Sequence, residues 1–91
     1  MLNSEELKEL EALAGAFLNL DEAAVILQCD ATKLKELVAM TDSPEHEHYE
    51  RGRLLSEYET RKAIIDQAKA GSSPAQVLAM GLIKKLNMHD A

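Results

Sequence analysis

Between Pro44 and Ala70 nothing interrupts a helix except Gly52, and this uninterrupted run constrains the fold more than any other feature of the sequence. Two start signals of one kind bracket it. Ser43-Pro44 and Ser73-Pro74 each pair a capping hydroxyl with a proline, whose missing N–H is no loss in a first turn. Gln76 is the side chain expected to return to the second cap, and Gly71 supplies the stop before it. At about 1.5 Å per residue the long helix spans roughly 40 Å, and the helix from Pro74 to near Asn87 roughly 20 Å. So short a turn predicts an antiparallel hairpin. The shorter helix covers only the second half of the longer one. The first half, Tyr49 to Tyr58, therefore has to pack on the N-terminal part, meet another subunit, or stay in water. Leu54, Leu55, Tyr58, Ile64 and Ile65 are too apolar for full exposure. The final helix, with Val77, Leu78, Leu82, Ile83 and Leu86, is apolar over a wider arc than one partner needs. Wide stripes on a small chain predict self-association.

Upstream, every marked segment also repeats at helical spacing and none alternates as a strand does. A first helix opens after Asn3, with Glu6 as capping-box partner and Leu7, Leu10, Leu13 and Ala14 as its stripe, and ends between Gly15 and Asn19. Asp21 is expected to start a short second helix carrying Ala23, Ala24 and Leu27. After Gln28-Cys29-Asp30, Asp30 caps a third helix with Leu34, Leu37 and Val38, ending near Met40. The expected fold is all-α: a helix-turn-helix-like unit over residues 1–42, then the long antiparallel helical hairpin over residues 43–91, an oligomerisation element.

The 91 residues carry three aromatic rings, Phe17, Tyr49 and Tyr58, so the core falls to aliphatic residues. Met40, Met80 and Met88 are expected to pack rather than to bind. The net charge of -6 argues against broad attraction to nucleic acid or anionic membrane, though not against a local basic face. One cysteine, Cys29, excludes an intrachain disulfide and is expected as a small buried thiol. With no basic, apolar leader and no span of about 20 apolar residues, the expected location is the cytoplasm.

Catalytic patterns are missing. His46 and His48 lie two apart on a helix and point roughly 200° apart, so they cannot share an ion, and His46 with Glu50 makes only two ligands. Gly71-Ser72-Ser73 lacks the glycines and lysine of a phosphate loop. No enzyme, cofactor or metal is expected.

The segment from Leu20 to Val38 carries the strongest local pattern. Two helices crossing over a tight turn need a small residue at the crossing, which Ala24 provides, and apolar residues at Leu27, Cys29, Leu34 and Leu37. Gln28 stands where such turns usually hold glycine, and a left-handed backbone there carries a cost. If this unit meets DNA, the third helix turns Thr32, Lys33 and Lys35 outward. Two lysines opposed by Glu36 and Asp30, without arginine or asparagine for bidentate base contact, predict weak binding per copy to double-stranded DNA. Arg51 and Arg53 on the long helix are further phosphate candidates, on a face otherwise ion-paired through spacings such as Glu57–Arg61.

Past this unit the order of short motifs resembles a family. Tyr49-Glu50-Arg51-Gly52-Arg53, Glu59-Thr60-Arg61, Ala68-Lys69-Ala70-Gly71-Ser72 and Leu82-Ile83-Lys84-Lys85-Leu86 are similar to the small DNA-packaging proteins of tailed bacteriophages. The resemblance covers roughly residues 17–87. It implies a small terminase subunit: a ring of copies that holds viral DNA, is assembled by the hairpin, and regulates a large terminase subunit that hydrolyses ATP and cuts. Two departures stand beside it: the turn lacks its glycine, and no segment for contacting the large subunit follows the hairpin. The alternatives are a protein–protein assembly module with a purely structural helix-turn-helix, and a small dimeric transcription regulator.

Overall fold

The computed structural model describes residues 1–90, with side chains through Asn87, and every regular element among them is a helix: α1 Ser4–Gly15, α2 Leu20–Leu27, α3 Ala31–Ala39, α4 Pro44–Lys69 and α5 Ser73–Asp90. The starts follow side-chain chemistry. Asn3 and Glu6 exchange the two bonds of a capping box at 2.8 and 3.0 Å, and Asn19 and Glu22 repeat it at the same distances. That second box starts α2 at Leu20, one residue before the expected Asp21. Asp30 Oδ1 accepts the Thr32 and Lys33 N–H groups, and Ser43 Oγ accepts that of His46. At α5 the cap moves back by one: Ser72, not Ser73, accepts the Ala75 N–H at 3.3 Å. Gln76 does not return to this cap either, since its Nε2 donates to the Ala68 carbonyl at 3.2 Å.

Three helix ends share one closure. After α1 the N–H of Phe17 bonds to Ala14 and that of Leu18 to Leu13. After α2 Gln28 bonds to Val25 and Cys29 to Ala24. After α4 Gly71 bonds to Ala68 and Ser72 to Gln67. This is the paired bonding that a left-handed residue after a helix permits. The left-handed residues are Phe17 at φ 62°, Gln28 at φ 56° and Gly71 at φ 103°. Only one of the three is glycine.

The chain divides into two compact units, Met1–Ser56 and the residues from Glu57 onward. The division falls inside α4, whereas the sequence reading placed it at the turn before that helix. In the first unit Leu10, Ala23, Ala24, Leu27, Leu34 and Val38 form the core, with Leu2, Leu13, Leu20, Cys29, Ala31 and Tyr49 packed around it. The first half of α4 belongs here for stated reasons. Tyr49 Oη donates to the Leu18 carbonyl at 3.1 Å, Ser56 Oγ donates to that of Gly15, and Gly52 lies against the α1 backbone at Glu11. Glu45, fully buried, accepts the Leu2 N–H at 3.1 Å through Oε2 and ties the first residues to the start of α4; its Oε1 has no partner.

In the second unit, Ala75 is the only buried residue among those whose side chains are described. Arg61, Ile64, Ala68, Ala79 and Leu82 are half-buried, while Tyr58, Ile65, Val77, Leu78, Met80, Ile83 and Leu86 are exposed. Two expectations change here. Met40 and Met80 are exposed and pack no core, and Cys29 is only partly buried. The side chain of Met88 lies outside the described residues.

Candidate nucleic-acid interface

The candidate residues sit on α3 and on the first half of α4. On α3, Ala24 of α2 is 3% exposed beneath the pair of helices, and Leu34 and Val38 face the same core. That packing turns Thr32, Lys33, Lys35 and Glu36 to the outside, and all four are exposed. Gln28 makes the required left-handed turn without glycine.

The electrostatics of this face are nearly balanced. Lys35 Nζ lies 2.8 Å from Asp21 Oδ1, an ion pair from α3 to the first turn of α2. Lys33 has no ion-pair partner among the described residues, but Asp30 caps its helix and Glu36 lies three residues on. Of the two charged candidates elsewhere in the first unit, each cation faces a carboxylate.

Arg51 and Arg53 show this on α4. Glu11 of α1 lies opposite Arg51: its Oε1 accepts from His48 Nδ1 at 3.2 Å and stands 3.7 Å from Arg51 Nε. His48, Arg51 and Gly52 occupy one face of α4 at helical spacing, so a single residue of α1 meets all three. Arg53 bonds Glu50 Oε2 at 2.9 Å, one turn back on its own helix. The structure brings Thr32, Lys33 and Lys35 together on α3 and commits Arg51 and Arg53 to the contact between α1 and α4 and to a local pair. His46 is also committed, its Nδ1 donating to the Val38 carbonyl at 2.7 Å. The expected Glu57–Arg61 pair forms at 3.6 Å.

The Asp21–Lys35 pair and the reach of Glu11 escape sequence reasoning, because neither spans a helical i, i+3 or i, i+4 step. Cys29 lies beside the turn, and its thiol pKa is raised by burial first, then by the carboxylates of Glu6 and Asp30. That environment suits an inert thiol.

No protein-family model matches the chain, and no curated protein or solved structure is similar to it. No helix among the described residues is long and apolar enough to cross a membrane.

Proposed function

We propose that this protein is an oligomeric DNA-binding adaptor of the small terminase kind, presenting α3 to duplex DNA from several copies at once. One observation carries the reading: α2 and α3 close over Ala24 through a left-handed Gln28, leaving the Thr32 and Lys33 side of α3 in solvent. A helix held in this way fits a major groove. With only one lysine of α3 outside an ion pair in each copy among the described residues, useful affinity has to come from summed contacts in an assembly. The second unit supports the assembly. Some thirty residues in which Ala75 is the only buried side chain among those described cannot hold a hairpin alone, so a second copy supplies the missing surface. In this role the partners are viral DNA, further copies and a large terminase subunit, and the setting is the cytoplasm of a bacterial host.

The Asp21–Lys35 pair favours a second reading, an assembly module in which the α2–α3 pair is only a scaffold. Duplex binding decides between them. Titration of a labelled duplex at low and at moderate salt is expected to show binding that weakens steeply with salt. Lys33→Glu with Lys35→Glu is expected to abolish it. No binding at low salt leaves the scaffold, and loss only on reversal of Arg51 and Arg53 moves the site to α4.

A further inference from the structure

Two outer helix faces carry opposite charge. On α4, Leu55, Tyr58, Lys62, Ile65 and Lys69 recur at alternating steps of three and four residues, the repeat of a coiled-coil seam, and all five are exposed. Lys62 and Lys69 have no ion-pair partner among the described residues. This seam is a poor partner for itself. In parallel register Lys62 meets Lys62 and Lys69 meets Lys69, and antiparallel pairing about the seam's middle again sets Lys62 on Lys62. Like charges in a helix seam select against self-pairing. What fits is an acidic helix with side chains small enough for Tyr58 and Ile65 to approach.

The same chain carries such a helix. On α1 and its C-cap residue Ala16, Glu5, Glu9, Ala12 and Ala16 follow at steps of four, three and four residues, and all are exposed. Glu5 and Glu9 have no ion-pair partner among the described residues. The surroundings point the same way. Residues 1–56 hold twelve Asp and Glu against five Lys and Arg, while residues 57–91 hold four against five. Leu55 and Ile65, on the same seam as the lysines, have nothing to gain from phosphate and favour a protein partner over nucleic acid.

We propose that the acidic outer face of α1 in one copy docks along the α4 seam of a second copy, head to tail. The inference rests on the self-association proposed above and adds which surfaces meet. The two faces differ, so the interface is heterologous, and its repetition closes a ring or extends a filament instead of stopping at two copies.

Reciprocal charge reversal in the full chain tests it, read by light scattering with far-UV circular dichroism as a check on folding. Glu5→Lys with Glu9→Lys leaves both faces basic, and Lys62→Glu with Lys69→Glu leaves both acidic, so each variant alone is expected at the mass of one chain. Mixed in equal amounts they carry matched faces at every junction and are expected to regain the wild-type mass with the two variants at one to one. All four reversals in a single chain are expected to assemble as well. Either pair of reversals retaining the wild-type mass, or a mixture that stays monomeric, overturns the docking. Normal assembly of the Lys62→Glu, Lys69→Glu variant with loss of duplex binding assigns the seam to nucleic acid instead. A wild-type chain that is itself monomeric overturns the docking together with the self-association, whereas assembly that survives both pairs of reversals overturns the docking alone.

Discussion

A Cβ placed on Gly52 would stand 2.0 Å from the carbonyl oxygen of Glu11, closer than real side chains approach a backbone atom. In the sequence this glycine is only a weak point in a long helix. In the fold it is where α4 lies directly on α1, with Ser56 one turn further reaching the Gly15 carbonyl. Gly52→Ala gains about 1 kcal/mol of helix propensity. It also forces two backbones apart, and overpacking of this kind costs about 1–3 kcal/mol or more. The expected result is a lower urea midpoint for the first unit. A midpoint that rises would mean the two helices do not touch at this point.

Gln28 gives the opposite prediction. It holds φ 56° in solvent, where an L side chain is disfavoured and glycine is not. Gln28→Gly is expected to stabilise the chain by about 1 kcal/mol, which raises the melting temperature by roughly 4–8 °C for a domain of this size. Gln28→Val, a β-branched residue in the same backbone state, is expected to lower it. Calorimetry on the pair of variants checks both signs. Equal melting temperatures would place the turn in another conformation.

These two residues also mark how far the sequence could be read. Helix starts were legible because Asn3, Asp30 and Ser43 act within three residues of themselves. So was the all-α class, and so was the position of Leu10, Leu34 and Val38 in the core. Ends were harder. Phe17 and Gln28 take the left-handed role usually given to glycine, so the chain's own glycines mislead: Gly15 closes α1 but Phe17 makes the turn. The division within α4 was not legible at all. It depends on Gly52, Tyr49 and Ser56 meeting residues more than thirty positions away, and no periodicity along one helix encodes such a meeting. Among the candidate site residues, exposure of Thr32, Lys33 and Lys35 followed from the apolar stripe of α3. The carboxylates facing Lys35 and Arg51 did not, for the same reason of distance.

Cys29 offers a test of the turn's surroundings. Burial, Glu6 and Asp30 all hold its thiol above the ordinary pKa, so the thiolate is scarce at neutral pH. Alkylation by iodoacetamide near pH 8 is expected to run slower in the folded chain than in urea, since thiolate is the reacting form. The sign for stability follows from the same shift. A raised folded pKa contributes stability that is fully present below the unfolded thiol's pKa and is lost as pH rises through the folded value. The folded chain therefore weakens on the alkaline side, and Cys29→Ala is expected to flatten that loss. Equal alkylation rates with and without urea would place the thiol in solvent.

Asp21 is the residue whose replacement separates the proposed DNA contact from a scaffold role most sharply. Its carboxylate holds Lys35 Nζ at 2.8 Å on the exposed side of α3. Exposed pairs of this kind add about 0–1 kcal/mol to stability, so losing it leaves the fold intact, apart from about 0.3–1 kcal/mol for an acidic residue at a helix start. For DNA the consequence is larger. Asp21→Asn removes one negative charge from the face and releases Lys35 for phosphate. Duplex binding at low salt is expected to tighten by about threefold to tenfold, and the slope of log K against log salt to steepen by about one, the signature of one more phosphate contact. Asp21→Asn combined with Lys35→Gln should return both quantities to the wild-type level or below. If Asp21→Asn changes neither affinity nor slope while Lys33→Glu also has no effect, then α3 does not face DNA, and the pair of helices over Ala24 serves the packing of the first unit alone.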